Sequence, residues 1–259
     1  MLTAIILTKN EEKNIKRCIE SLGFCDEIVV IDDESIDDTV KIAKKLGAKV
    51  IGCKMQDFSS QRNWAIEQVK SNWILFVDAD EVMTKELGES CKELVRKNDA
   101  NGYLMHRVDY LWNHQFKYGD VGNVWLLRLA RRGAGVWQGA VHETWKADGR
   151  ISKLTGVLNH YPHQTVVEFL QKLNRYSTLK ANEFYKAGRK TNIIEIIFGP
   201  ICRFVYLFIC RLGFLDGTAG FVHAMLMSFY VFLVAGKLYL KYNNIHAYRQ
   251  TQSDQALTR

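Results

Sequence analysis

WILFVDADEV, residues 73–82, decides the fold. It opens on five consecutive apolar residues, Trp73 to Val77, and then places three carboxylates at Asp78, Asp80 and Glu81. A short apolar run of this kind is expected of a strand covered on both faces, with its polar end at the strand's carboxyl tip. Three earlier runs share the character: TAIILT (3–8), EIVVID (27–32) and AKVIG (48–52). Between and after them, residues 11–22, 37–46, 58–70 and 84–97 carry apolar positions at helical spacing among Lys and Glu. Strand and helix therefore alternate, which predicts an α/β fold with a mostly parallel sheet between flanking helices.

Ligands of such sheets bind beyond the carboxyl ends of the strands. Strand one ends in Thr8, Lys9, Asn10 and Glu11, strand two in Asp32, Asp33, Glu34 and Ser35, and strand four in Asp78, Asp80 and Glu81. Seven carboxylates on one edge repel one another unless a cation or hydrogen-bond donors compensate them. An Asp-x-Asp pair at a strand end suits Mg2+ or Mn2+, one carboxylate binding directly and the other through water. Such an ion neutralises charge on a diphosphate leaving group. The structural alternative is that these acids cap the helices that follow. VIDDESIDDT (30–39) allows both readings: Ser35 and Asp37 as caps, and Asp33 at the strand tip as an acceptor for a nucleotide base.

The chain has 259 residues, 47% of them hydrophobic, enough for one substantial core with a smaller appendage. Six cysteines lie at 18, 25, 53, 91, 202 and 210 with no Cys-x-x-Cys pair, so neither a zinc site nor a disulfide framework is expected. MLTAIILTKNEE meets acids after a few apolar residues, unlike a secretory leader. Net charge is +7, and residues 184–259 hold +6 of it, from nine Lys or Arg against three acids. These cations flank apolar runs, which fits an anionic membrane surface and not nucleic acid.

Beyond residue 100, GYLMHRVDYLW (102–112), NVWLLRLARRG (123–133) and KLTGVLNHYPH (153–163) read as further strands, with GVWQGAVHETW (135–145) between them. Residues 165–187 read as one amphipathic helix. The stretches 193–215 and 219–236 approach bilayer-spanning length, but Glu195, Pro200, Arg203 and Arg211 interrupt the first. A spanning hairpin, a pair of interfacial helices and a dimerisation module are the three readings. The expected break at Gly199 and Pro200, with arginines snorkelling to headgroups, favours interfacial attachment.

TKNEE, DDESIDDT and FVDADE, in this order and spacing, resemble the family 2 inverting glycosyltransferases. QRNWAI (61–66), WQGAVHE (137–143) and GFLDGTAGFVHA (213–224) resemble a narrower group, the bacterial lipopolysaccharide core biosynthesis β-1,4-glucosyltransferases. The resemblance implies the Rossmann-like GT-A fold over 1–187, a nucleotide-sugar half at 1–100 and an acceptor half at 101–187. A membrane-attachment region at 188–245 and a polar tail at 246–259 would follow. It implies that Thr8, Asn10 and Glu11 contact the nucleoside, that Asp33 reads the uracil edge, and that Asp78 and Asp80 are the Asp-x-Asp pair, Asp80 being the direct metal ligand. Glu34 departs from the family, where Gly is common, which weakens the Ser35 and Asp37 assignments. The implied donor is UDP-glucose. The implied acceptor is a lipid A-linked core oligosaccharide at the cytoplasmic face of a Gram-negative inner membrane, reached from a peripheral or monotopic position. A polyprenyl-phosphate glycosyltransferase and a catalytically silent membrane scaffold are the alternatives.

Inverting transfer needs a base for the acceptor hydroxyl. Glu143, beside His142 and after a Gly-rich turn, is the first candidate, and Glu81 its rival. Arg62 either pairs with the acidic edge or the diphosphate, or faces solvent. Trp137 and Trp145 either stack on sugars or belong to the core. His160 and His163 are read as structural rather than as metal or phosphate contacts.

Overall fold

A computed structural model describes residues 1–54, 57–122, 124–139, 143–162 and 165–243. The expected polar tail, His142 and His163 lie outside the described residues. Two compact units divide the chain: the first takes residues 1–110 and 123–162, the second residues 111–122 and 163 onward.

The first unit begins with the expected alternation: β1 Leu2–Thr8, α1 Ile15–Ser21, β2 Glu27–Asp32, α2 Thr39–Lys45, β3 Lys49–Gly52, α3 Phe58–Glu67, β4 Trp73–Asp78. A short strand not anticipated from the sequence, β5 Glu81–Met83, precedes α4 Lys85–Lys97. Then follow β6 Gly102–Leu111, and, after β7 His114–Gln115 of the second unit, β8 Val124–Arg131, β9 Gly135–Gln138, β10 Thr144–Ala147 and β11 Ile151–His160. The main sheet runs β3-β2-β1-β4-β8-β6-β11-β5. Its first four strands are parallel, β8 is antiparallel to both neighbours, β11 is parallel to β6, and β5 is antiparallel to β11. The carboxyl ends of β1, β2 and β4 thus share one edge.

All seven residues of β1 are buried, and β4 is buried until Asp78. Alternate side chains feed two cores. Ile6, Val30, Leu75 and Val77 pack with Ile15 and Leu87 on one face, and Ile5, Ile31, Ile74 and Phe76 pack with Ala65 and Val69 on the other. This two-sided burial is why the strands read as continuous apolar runs and not as alternating ones. Trp137 and Trp145 are 5% exposed, stack on each other, and meet Phe76 edge to face. Of their two readings, the structure takes the core one.

In the second unit, α5 (Val166–Lys186) opens with a full capping box of Thr165 and Glu168. It groups with the apolar helices and not with the sheet, so the division falls near 162 rather than at 187. Its polar Asn174, Ser177 and Thr178 receive Lys237 Nζ from α7 (Gly217–Tyr242) at 2.7–2.8 Å. Between them lie α6 (Ile193–Val205), a π-turn at Tyr206–Cys210 and a 3-10 turn at Gly213–Asp216. The break expected at Gly199 and Pro200 is absent: α6 runs through it. Gly199 has no Cβ to collide with the proline ring, which relieves that one part of the conflict. The snorkelling expectation is also corrected. Arg203 pairs with Asp120, and Arg211 Nε donates to the Gly119 carbonyl at 3.1 Å, so both charges are engaged within the unit. Helix α6 buries none of its residues, and Ile193, Ile194, Ile197, Phe198 and Ile201 are each more than half exposed. Ile193–Cys210 and Gly213–Tyr242, 18 and 30 residues, are long and apolar enough to cross a membrane.

Candidate active site

The β1 and β2 tips are laced together before any ligand is considered. Asn10, at φ +54°, donates its backbone N–H to Ser35 Oγ at 2.9 Å and accepts from the Ile36 N–H through its own side chain at 2.9 Å. Glu11 N–H reaches Thr39 Oγ1, and Glu12 N–H reaches Asp37 Oδ2. Ser35 and Asp37 thus hold two loops in register. Asp33 is 5% exposed, with Oδ2 3.0 Å from Lys9 Nζ. Thr8 is 6% exposed, and its Oγ1, like Asp32 Oδ1, is buried with no hydrogen-bond partner among the described residues. Glu34 departs from the cluster: its side chain is exposed near Lys54, at φ +54°.

At the β4 tip, the negative charge expected to require a metal meets the protein's own cations. Asp78 Oδ1 accepts from Arg62 at 2.7 Å and Oδ2 from Arg128 at 2.6 Å. Burial raises the Asp78 carboxyl, but the guanidiniums of Arg128 and Arg62 outweigh it and hold the group far below the usual carboxylate range. Glu81 is fully buried; one oxygen accepts from the Asp78 N–H at 2.9 Å and the other from Arg128 at 3.0 Å. Its pKa is raised, first by burial and then by Asp78, against the pull of Arg128. Both oxygens are occupied and none of the residue is exposed, the placement of a buttress beneath the tip.

Asp80 faces His160, Oδ2 to Nε2 at 3.4 Å, and the other ring nitrogen of His160 bonds Asp109. Burial depresses the imidazole, but Asp80 and Asp109 overcome this and push it up to about 9. As an imidazolium His160 donates to both acids and has no lone pair; it becomes a ligand only when Nε2 gives up its proton to an incoming ion, with Nδ1 still held by Asp109. Asp80 and His160 fit two protein ligands of a hard divalent ion, the remaining positions being suited to phosphate oxygens. Each Asp78 oxygen already accepts from a guanidinium, which weakens it as a ligand without using its remaining lone pairs. Among the described residues no group of three or more His, Cys, Asp or Glu is arranged to hold an ion unaided.

Glu143 is brought to this cluster by α3. Arg62 Nε lies 3.2 Å from Glu143 Oε1 while its Nη2 holds Asp78, and its guanidinium lies over Trp137 at 4.6 Å. The next residue, Asn63, acts as a surrogate strand edge: its amide donates to the Trp137 carbonyl and accepts from the Trp137 N–H, both at 2.9 Å. Gln61 ties the helix start to the Cys53 carbonyl at 3.0 Å. The side chain of Glu143 keeps 16% exposure, enough to reach a substrate. Arg62 is 2% exposed, so its solvent-facing reading fails, and its Nη1 is buried without a partner among the described residues.

Sequence reasoning missed Asn63, Arg107, Asp109 and Arg128. Arg128, 5% exposed, had a signal: a cation in the middle of the apolar strand VWLLRLAR must have a buried anion to meet. Arg107 and Asp109, 3.3 Å apart, alternate on β6 as a strand with a polar tip would have them.

Residues 3–145 match the family model described as glycosyl transferase family 2. The lipopolysaccharide core biosynthesis glycosyltransferase LpsC of Rhizobium meliloti (strain 1021) is 32% identical over 250 residues, covering 93% of this chain and 93% of its own. The uncharacterized glycosyltransferase RT0209 of Rickettsia typhi (strain ATCC VR-144 / Wilmington) is 30% identical, covering 92% of this chain and 86% of its own. Among solved structures, S. aureus TarS 1-349 in complex with UDP-GlcNAc aligns with TM-score 0.47 at 17% identity, covering 100% of this chain and 92% of its own.

Proposed function

The chain belongs to glycosyl transferase family 2, and we propose that it moves a hexose, glucose from UDP-glucose, onto a membrane-borne lipopolysaccharide core acceptor with inversion at the anomeric carbon. The observation that carries this reading is the joint placement by Arg62 of Glu143 and Asp78, with Asp80 two residues on. One guanidinium fixes a partly exposed carboxylate beside the acidic strand tip. That is the constellation a single displacement needs: a base for the acceptor hydroxyl and a cation-stabilised place for the departing diphosphate.

In this reading Glu143 takes the acceptor proton. Glu81 is a positioning residue, because its oxygens are committed to the Asp78 N–H and to Arg128. Asp78 orients the arginines, and the unpaired Arg62 Nη1 is suited to a diphosphate oxygen. Thr8, Asn10, Glu11 and Asp33 receive the nucleoside; the unpartnered oxygens of Thr8 and Asp32 support a polar ligand there. Asp80 and His160 would hold Mg2+ or Mn2+. The bound ion supplies charge neutralisation to the leaving diphosphate. The exposed apolar face of α6 fits attachment at the cytoplasmic face of the bacterial inner membrane, where a lipid-linked acceptor is within reach.

The test offers the purified protein a panel of UDP-sugars with Mg2+ or Mn2+ and truncated core lipids, identifying products by mass and linkage. Glu143→Gln should cut kcat by about 10²–10⁴-fold while leaving UDP affinity unchanged. Full activity in that variant moves the base elsewhere. Consumption of no UDP-sugar under either metal overturns the proposal, and glycosylation of polyprenyl phosphate in place of core lipid reassigns the acceptor.

A further inference from the structure

At the opposite end of β4 from the acidic tip lies a cavity of about 670 Å³ whose charged side chains are all arginines. Arg96 reaches it from the last turn of α4, and Arg131 and Arg132 from the end of β8. Trp73 and Val95 give it apolar wall, and Asn72 and Asn98 add polar groups. The volume is that of a small-molecule site.

The bland account, solvated surface cations, covers Arg96, which suits the negative end of a helix. It covers the exposed side chain of Arg132 as well, but not Arg131. Arg131 is pre-organised: Nε donates to the Ala100 carbonyl at 3.2 Å, Nη2 to the Asn98 carbonyl at 2.8 Å, and the guanidinium lies 5.3 Å over Trp73. The backbone of Arg132 is anchored to the Asn72 carbonyl at 2.8 Å. None of the three makes a salt bridge among the described residues. Asp99 accepts from the Tyr103 hydroxyl and Glu93 pairs with Lys97, while the Met1 ammonium, which also lines the cavity, lies 4.0 Å from Asp26. Three like charges gathered around one cavity repel one another, and an anion relieves that cost.

We infer that this cavity is a second, non-catalytic binding site for a phosphate-bearing ligand, recognised by Arg96, Arg131 and Arg132. Guanidinium forks match phosphate oxygens in pairs, and Arg131, oriented by the Ala100 and Asn98 carbonyls, has its remaining Nη edge for one. Five residues of strand, about 17 Å, separate Trp73 from Asp78, so this ligand is not the donor diphosphate at the acidic edge. The phosphate comes either from a soluble phosphorylated compound or from a lipid headgroup.

Arginine modification by phenylglyoxal, mapped residue by residue by mass spectrometry, tests this on the full chain with saturating UDP. Pyrophosphate at about ten times its Kd should slow modification of Arg96 and Arg132 about tenfold, and chloride at matched ionic strength should not. Protection by pyrophosphate identifies a soluble source. Protection only by phosphatidic acid in phosphatidylcholine vesicles, not by phosphatidylcholine alone, identifies a headgroup. No protection by either, or equal protection by chloride, overturns the site. An Arg96→Gln and Arg132→Gln double variant should lose the pyrophosphate-induced thermal stabilisation while keeping UDP binding; retained stabilisation also overturns it.

Discussion

Replacing Arg62 with Met removes the side chain that bonds both Asp78 and Glu143. Removing one partner of a buried ion pair costs about 3–5 kcal/mol. The low end applies here, because Asp78 keeps Arg128 at 2.6 Å and Glu143 retains 16% exposure to water. The cation over Trp137 is also lost, worth about 0.5–2 kcal/mol, and the Met side chain recovers part of that by packing on the same ring. The net expectation is about 3 kcal/mol, or ~6–12 °C in Tm for a unit of this size. Tryptophan fluorescence reports the melt, since Trp137 and Trp145 sit against the lost contact. With Glu143→Gln added, the double variant should lose less than the sum of the singles, by about 0.5–3 kcal/mol. A loss below about 1 kcal/mol, or strict additivity, refutes the reasoning.

Three further outcomes are expected. Glu34→Gly should stabilise the protein by about 0.5–1 kcal/mol in urea denaturation, because removing the left-handed penalty at φ +54° exceeds glycine's entropic cost; a loss of stability would show the Lys54 contact to matter more than its exposure implies. In EDTA, the His160 imidazolium is favoured by folding, its pKa raised from 6.5 to about 9. Its contribution, about 3 kcal/mol, is fully present below pH 6.5 and is lost as pH rises through about 9. His160→Gln should flatten that slope, and an unchanged pH profile counts against the assignment. Cys202 and Cys210, both exposed, should react with maleimide in vesicle-free protein and become protected on anionic vesicles. Buried Cys91 and half-buried Cys25, the latter pushed up to about 12 mainly by burial, should stay far less reactive at neutral pH throughout. Equal labelling of Cys202 and Cys210 with and without vesicles would place the apolar face away from lipid.

The strands β1 to β4 and the helices between them were legible because two-sided burial writes itself as continuous apolar runs. Strand β5 was not. Its three residues pair with β11, some 75 positions later in the chain, and no local pattern marks them. The hairpin of β9 and β10 was seen as aromatic, but not as a clamp on Phe76. Arg203 and Arg211 looked like membrane-facing cations because their partners, Asp120 and the Gly119 carbonyl, come from a segment that sequence order keeps distant.

Sequence alone determined which acids stand at the tips of β1, β2 and β4, since position within a strand fixes the edge at which a residue emerges. The tertiary structure decided what those acids do. Asp78 and Glu81 are bound by Arg62 and Arg128, Asp80 faces His160, and Glu143 is drawn to the same cluster from 65 residues beyond Asp78. A carboxylate's role depends on which charges lie within a few ångströms and on how much water remains, and both are properties of packing between distant segments.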